Sequence, residues 1–241
     1  MNALSIKNLT IAIDQRVLIK NLKVGFKPGE VWGIFGPNGV GKTTLMHTIA
    51  GLYPPAQGDV RLGSQVVHKL KSRSRAQQIG VLFQNVAFSF PSTVFESALM
   101  GRYPHKRAWF GESDSDKERI HQVLAQMNLE DFEHRLASSL SGGEKRRLML
   151  ATLLAQDPFV YLLDEPTNHL DWRHQVRTLS LLQRLAKENG KIVVMIMHDI
   201  HLMRRFCDRV IILSPDAKNY VGDSHQWLQE DRLKSIFGEI S

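Results

Sequence analysis

Two glycine-bearing stretches, about a hundred residues apart, each have the makings of a phosphate cradle. The first, GPNGVGKTT (Gly36 to Thr44), matches G-x-x-x-x-G-K-[ST] through Gly36, Gly41, Lys42 and Thr43. Its glycines let backbone N–H groups converge on phosphate oxygens, and the helix that follows adds the positive end of its dipole. Pro37, Asn38, Gly39, Val40 and Thr44 complete this binding loop. Lys42 reaches the β- and γ-phosphates, and the Thr43 hydroxyl is placed to ligate Mg²⁺. The second stretch, SSLSGGEKRR, sets Gly142 and Gly143 behind Ser141 at the start of an expected helix. Free N–H groups at that helix start would point outward at an anion. Lys145, Arg146 and Arg147 read as charges on the helix surface.

Acidic and neutral partners for such a cradle lie further along the chain. FVYLLDEP (Phe159 to Pro166) is an apolar strand ending in two carboxylates. Asp164 sits at the strand's C-terminal edge, where it can hold Mg²⁺ through the ion's water shell. Glu165, one residue on, is the candidate general base, or the group that orients and polarises an attacking water. MIMHD repeats the arrangement, with His198 at the exit of an apolar strand and within reach of a γ-phosphate. Gln84 follows the stretch Ile79–Phe83, and its neutral amide can contact Mg²⁺ or water without competing for the proton.

The elements that must hold these groups follow from periodicity. LSIKNLTIAI and VLIKNLKVGF alternate as half-buried strands around a polar turn at Asp14-Gln15. Val31–Phe35 is a short apolar strand running into the glycine loop, and Leu45–Ala50 continues as a helix ended by Gly51. Further strands are expected at Val60–Leu62, Ile79–Phe83, Phe159–Leu163, Ile192–Met197 and Val210–Leu213, with a helix at Trp172–Asn189. Between them, Thr93–Met100, Ser115–Met127 and Gly142–Gln156 read as helices, and short helices fill Ser224–Phe237. Apolar strands alternating with helices imply an α/β fold with a mainly parallel sheet covered on both faces. The N-terminal antiparallel β region joins that core, and the helical run is an insertion into it. The expected division is a core of about residues 1–88 and 157–241, with a helical subdomain of about 89–156.

Composition excludes several classes. The longest apolar run, Ile192–Met197, falls far short of the ~20 residues that span a bilayer. MNALSIKNLT has no long apolar core, so no secretory signal is expected. One cysteine, Cys207, rules out an internal disulfide framework and fits a reducing compartment. The net charge of +7 is most simply a solvated basic surface, and an anionic partner or an anionic membrane face would also account for it.

Taken in order, the motifs resemble those of the ATP-binding subunits of ABC transporters over essentially the whole chain. GPNGVGKTT corresponds to Walker A, Gln84 to the Q-loop, LSGGE (Leu140 to Glu144) to the family signature and YLLDE to Walker B. NHLD (Asn168 to Asp171) corresponds to the D-loop and His198 to the H-loop. The resemblance implies a P-loop NTPase that binds ATP and Mg²⁺ between two copies arranged head to tail. Walker A of one copy would hold the phosphates, while Ser141, Gly142 and Gly143 of the other cover the γ-phosphate, with Asp171 nearby. It also implies a second ATP-binding subunit, identical or not, and transmembrane permease subunits. A substrate-binding protein would act indirectly, no nucleic-acid partner is implied, and the subunit would sit on the cytoplasmic face of the membrane.

FPSTVFESALMGRYPH (Phe90 to His105), with LATLLAQDP and NHLD, is similar to ATPases of importers for iron–siderophore, haem or cobalamin. A soluble ABC ATPase of iron–sulfur cluster assembly would share every nucleotide motif, and a ribosome-associated one would use the positive charge. One departure concerns the base. The family commonly stacks an aromatic on adenine at the end of the first strand, where this chain has Ile11-Ala12-Ile13. Ile13 and Val17 would offer apolar contact without the ~0.5–1.5 kcal/mol that aromatic stacking adds, so weak base selectivity is expected.

Overall fold

The computed structural model describes residues 4–14, 16–84, 91–106 and 113–238. The alternation at the N-terminus builds an antiparallel ribbon. β1 (Leu4–Ile13) pairs with β2 (Arg16–Phe26) in a register running from Leu4–Phe26 to Ile13–Arg16. Three register shifts along that pair twist the ribbon. β1 also pairs with β4 (Gln57–Leu62), and β4 with β5 (Gln65–Val66), giving a four-stranded sheet in the order β2-β1-β4-β5.

A second sheet carries the buried strands: β3 (Val31–Phe35), β6 (Ile79–Leu82), β7 (Val160–Asp164), β8 (Ile192–Ile196) and β9 (Arg209–Leu213). These five run parallel, and β10 (Asn219–Asp223) adds antiparallel to β9, in the order β10-β9-β3-β8-β7-β6. Alternate residues enter different cores. Ile34, Leu162, Val194 and Ile196 pack towards the N-terminal sheet and α1 (Lys42–Ile49). Tyr161, Leu163, Val193 and Met195 pack towards the helices on the other side. The period-2 pattern therefore builds three layers around one central sheet.

Register decides what meets at the C-terminal edge. Ile34 pairs with Ile196, Asp164 with Ile196, and Leu82 with Leu163. Two residues beyond Ile34, Ile196 and Leu82 stand Gly36, His198 and Gln84, and two beyond Leu163 stands Glu165. β3, β8, β7 and β6 are consecutive neighbours, so these groups emerge side by side.

The remaining helices are α2 (Ser72–Gln78), α3 (Val94–Leu99), α4 (Asp114–Gln126), α5 (Gly142–Gln156), α6 (Trp172–Asn189), α7 (Ile200–Phe206), α8 (Ser224–Trp227) and α9 (Glu230–Phe237). α3 to α5 fall between β6 and β7 in the chain. Thr93 and Ser141 cap α3 and α5 with reciprocal Glu96 and Glu144 contacts, as S/T-x-x-E predicts. The GRYPH segment secures the other end of α5. Arg102 Nη1 donates to Ala155 O at 2.9 Å, and His105 Nε2 to Gln156 O at 2.8 Å. Arg119 Nη2 adds a bond to Leu154 O at 2.9 Å. Cationic side chains on the last carbonyls of a helix satisfy orphan acceptors and oppose the negative end of its dipole. A Cβ at Gly101 would lie 2.1 Å from Thr152 O, so α5 packs this closely only over a glycine.

α2, α7 and β10 do not stand out in the sequence. α2 buries no residue at all, and β10 is a half-buried edge strand, so neither carries an apolar stripe. The helix after the glycine loop starts at Lys42, three residues earlier than its apolar residues indicate.

Candidate functional site

At the C-terminal edge of β3, β8, β7 and β6 lies a cavity of about 980 Å³. Asn38, Gly39, Gly41, Lys42, Thr43 and Thr44 form one wall. Gln84, Glu165 and His198 form another, while Ile13, Asp14, Arg16 and Leu18 close the far end.

The loop from Gly36 to Gly41 turns through positive φ at Gly36 (152°), Gly39 (75°) and Gly41 (108°). At Gly36 a Cβ would also lie 2.5 Å from Leu213 O, so this tight strand-to-loop turn admits glycine alone. Pro37 offers its carbonyl, and the Val40 side chain is buried in the core beneath the loop. α1 then begins with no side chain capping its first N–H groups, which leaves them for an anion. Lys42 Nζ donates to Gly36 O at 2.8 Å and Pro37 O at 2.9 Å. Burial lowers the Lys42 pKa, while Glu165 and Asp164 pull it back up. An ammonium held only by two neutral carbonyls in a half-dry cleft is poised to exchange them for charged oxygens.

Thr43 Oγ1 donates to Asp164 Oδ2 at 2.8 Å. Burial raises the Asp164 pKa, the Thr43 hydrogen bond lowers it, and neighbouring Glu165 raises it further. A buried carboxylate beside a hydroxyl, with a neutral amide at Gln84 nearby, is an all-oxygen donor set suited to Mg²⁺. Among the described residues no group of three or more His, Cys, Asp or Glu side chains could hold a metal unaided. Mg²⁺ takes one or two protein oxygens and completes its octahedron with phosphate and water.

Glu165 is the hub of the other wall. Its Oε1 accepts from His198 Nε2 at 2.7 Å, and its Oε2 accepts from Gln84 Nε2 at 3.1 Å and from Asn168 Nδ2. Burial raises the Glu165 pKa, but His198, Gln84 and Asn168 together outweigh it and hold the carboxyl below its ordinary value. The group is therefore ionised at neutral pH. Its backbone adopts φ 50°, rare outside glycine, which turns the side chain off the strand axis and into the cavity.

Several residues with expected roles stand elsewhere. Val17 does not line the cavity, whereas Arg16 and Leu18 do, because alternate strand residues face opposite ways. Ser141, Gly142 and Gly143 are also absent from the lining, and the two glycines lie beside the His169–Leu170 turn instead. The Ser141 N–H is not free: it donates to Glu144 Oε2 at 2.7 Å, and Ser141 Oγ accepts from Glu144 N. Asp171 caps α6, accepting from His174 N at 2.9 Å and His174 Nδ1 at 2.8 Å.

Arg146 overturns the surface reading of the basic run, for its side chain is buried under the site. Arg147 Nη1 donates to Met127 O and Asn128 O, both at 3.0 Å, closing the end of α4. Asn168, read from sequence only as the start of the D-loop, joins the site on Glu165, and Asp14, Arg16 and Leu18, given no role from sequence, join at the far end. The turn that places Asn168, bonded from its N–H to Glu165 O at 3.2 Å, has no periodic signal.

Residues 19–168 match the family model described as ABC transporter. The chain is 37% identical over 98% of its length to the petrobactin import ATP-binding protein FpuC of Bacillus anthracis, covering 86% of that protein. It is 32% identical, again over 98% of its length, to the iron(3+)-hydroxamate import ATP-binding protein FhuC of Bacillus subtilis, covering 88% of it. Among solved structures, one similar fold is an ATP-binding cassette seen as a dimer in a post-hydrolysis state with ADP and Pi bound. The TM-score is 0.80 at 29% identity, over 92% of this chain and 98% of that one.

Proposed function

The chain belongs to the ABC transporter family, as an ATP-binding subunit, and from that premise we propose that it powers an importer of an iron chelate. The wider class that the sequence points to also takes in haem and cobalamin. In this reading two copies close on two ATP molecules, and hydrolysis reopens them. The motion is passed to a separate transmembrane permease, which receives cargo from a substrate-binding protein. The chain then sits peripherally on the cytoplasmic face of the membrane. None of the described helices is long and apolar enough to cross a membrane. Residues of about 89–156 act as the helical subdomain that meets the permease, and the rest as the ATPase core.

The convergence of Gln84, Asn168 and His198 on one ionised carboxylate beside the glycine loop carries the hydrolytic part of this proposal. Glu165 accepts a proton from the attacking water or orients it, with Gln84 and Asn168 fixing one oxygen and His198 the other. His198 is exchangeable: its ring can leave Glu165 for a γ-phosphate oxygen. Lys42 and the first N–H groups of α1 hold the β- and γ-phosphates. Thr43, Asp164 and Gln84 would hold Mg²⁺, which neutralises the developing charge on the phosphate oxygens.

The iron-chelate cargo is supported by the import roles named for the two relatives.

The test is hydrolysis by the purified chain together with its attachment to membranes. ATP turnover should require Mg²⁺ and vanish with a chelator. ATP and GTP should bind within about tenfold of one another, because Ile11-Ala12-Ile13 stands where the family commonly has the stacking aromatic. The chain should sediment with membranes only when its permease is present. Turnover unaffected by chelation would overturn the catalytic reading, a base preference well beyond tenfold the account of the base pocket, and permease-independent sedimentation the transport role.

A further inference from the structure

Arg146 lies five residues after Ser141 on α5, the helix whose start is the LSGGE signature. Only 3% of its surface is exposed. Nη1 donates to Phe83 O at 2.7 Å and Gln84 O at 3.3 Å. Nη2 donates to Glu165 O at 2.7 Å and also to Asp164 O. One side chain thus grips four carbonyls at the exits of β6 and β7, including those of Gln84 and Glu165. The side chains of that pair meet at 3.1 Å in the cavity.

A helix-surface cation would need none of this. Burial lowers the Arg146 pKa to about 10, and the charges of Asp164 and Glu165 oppose the fall, so the guanidinium stays charged at neutral pH. A buried cation is costly unless it is well bonded, and here Nη1 and Nη2 are both engaged while Nε is buried without a partner. The planar fork of arginine reaches four acceptors at once, whereas lysine offers a single point charge. The four acceptors lie at the exits of two strands, and the donor belongs to a third element.

We propose that Arg146 is a positioning residue that ties the signature helix to the backbones of Gln84 and Glu165, making contact by Ser141 with one ATP and hydrolysis of the other interdependent. This rests on the function proposed above, in which Ser141 covers the nucleotide held by a second copy. Displacement of α5 on that contact is transmitted through Arg146 to the Gln84–Glu165 pair of the same chain. That pair acts on the chain's own nucleotide, so the two sites of a closed dimer respond to each other. Turnover should then rise cooperatively with ATP.

The experiment compares the parent with Arg146→Gln and Arg146→Lys, using titration with a fluorescent ATP analogue and steady-state ATP hydrolysis. The parent should show a Hill coefficient above one. Arg146→Gln should bind the analogue within about threefold of the parent while losing about 30- to 100-fold in kcat, the scale of a misplaced catalytic pair, with the Hill coefficient falling to one. Arg146→Lys keeps the charge and should recover only part of both. Parental kcat and cooperativity in either variant would overturn the proposal. So would a loss of kcat matched by an equal loss of nucleotide-binding protein, or failure of both variants to fold, since each marks a purely structural role. A parent without Mg²⁺-dependent turnover overturns the functional reading, and this inference with it. A parent that hydrolyses ATP beside indifferent variants overturns this inference alone.

Discussion

Glu165→Gln should bind ATP as tightly as the parent or more so, lose about 10²–10⁴ in turnover, and accumulate as an ATP-bound dimer. The geometry explains why this variant should fold. Its carbonyl oxygen can accept from Gln84 and Asn168, and its amide can donate to a neutral His198, so the wall of the cavity keeps its hydrogen bonds. What disappears is the negative charge and the ability to take or direct a proton, worth about 3–5 kcal/mol of barrier on that scale. Loss of the charge also removes repulsion between the wall and the γ-phosphate. Size-exclusion chromatography with ATP should show twice the mass of the chain. A variant that stays monomeric with ATP, or that turns over at the parental rate, would contradict Glu165's assigned role.

Ser141→Arg should abolish hydrolysis while leaving ATP binding to the glycine loop intact. No residue of the signature lines the cavity of the same chain, so the nucleotide that Ser141 touches is the one held by a second molecule. The structure adds a complication. Ser141 caps α5 through Glu144, so its replacement by arginine removes a cap worth about 1 kcal/mol as well as crowding a phosphate. Ser141→Asp separates the two effects, because aspartate is as good a cap and yet repels an anion. Both variants should retain monomer binding of ATP and lose at least about 100-fold in turnover, the scale of removing one donor to developing charge. Near-parental turnover in the aspartate variant would reduce Ser141 to a helix cap and sink the shared site.

Much of this was legible in the chain itself. GPNGVGKTT needs only its own spacing to announce a phosphate loop, since backbone N–H groups, a helix start and a lysine are all local. Asp164, Glu165, His198 and Gln84 could each be placed at a strand exit, because short apolar runs such as VYLL and IVVMI declare buried strands. Three kinds of feature stayed hidden. Polar elements such as α2 carry no stripe, the facing of Val17 against Arg16 and Leu18 depends on register at a hairpin end, and Asn168 reaches Glu165 through an irregular turn. Arg146 is the sharpest case. Beside Lys145 and Arg147, it has nothing in its neighbourhood to mark it as buried, and its acceptors are the carbonyls of residues 18 to 63 positions away.

By itself, then, the sequence determined the parts: a phosphate loop, acidic and neutral groups on apolar strands, and a second glycine cluster at a helix start. Each is a matter of local spacing, and local spacing is written in the chain. Only the tertiary structure decided the assembly. Strand order brings Gln84 and His198 to either side of Glu165, and the same folding leaves Ser141 outside the cavity and draws Arg146 beneath it. Those relations depend on which strands become neighbours and which helix crosses them, and that is settled by packing the whole core at once.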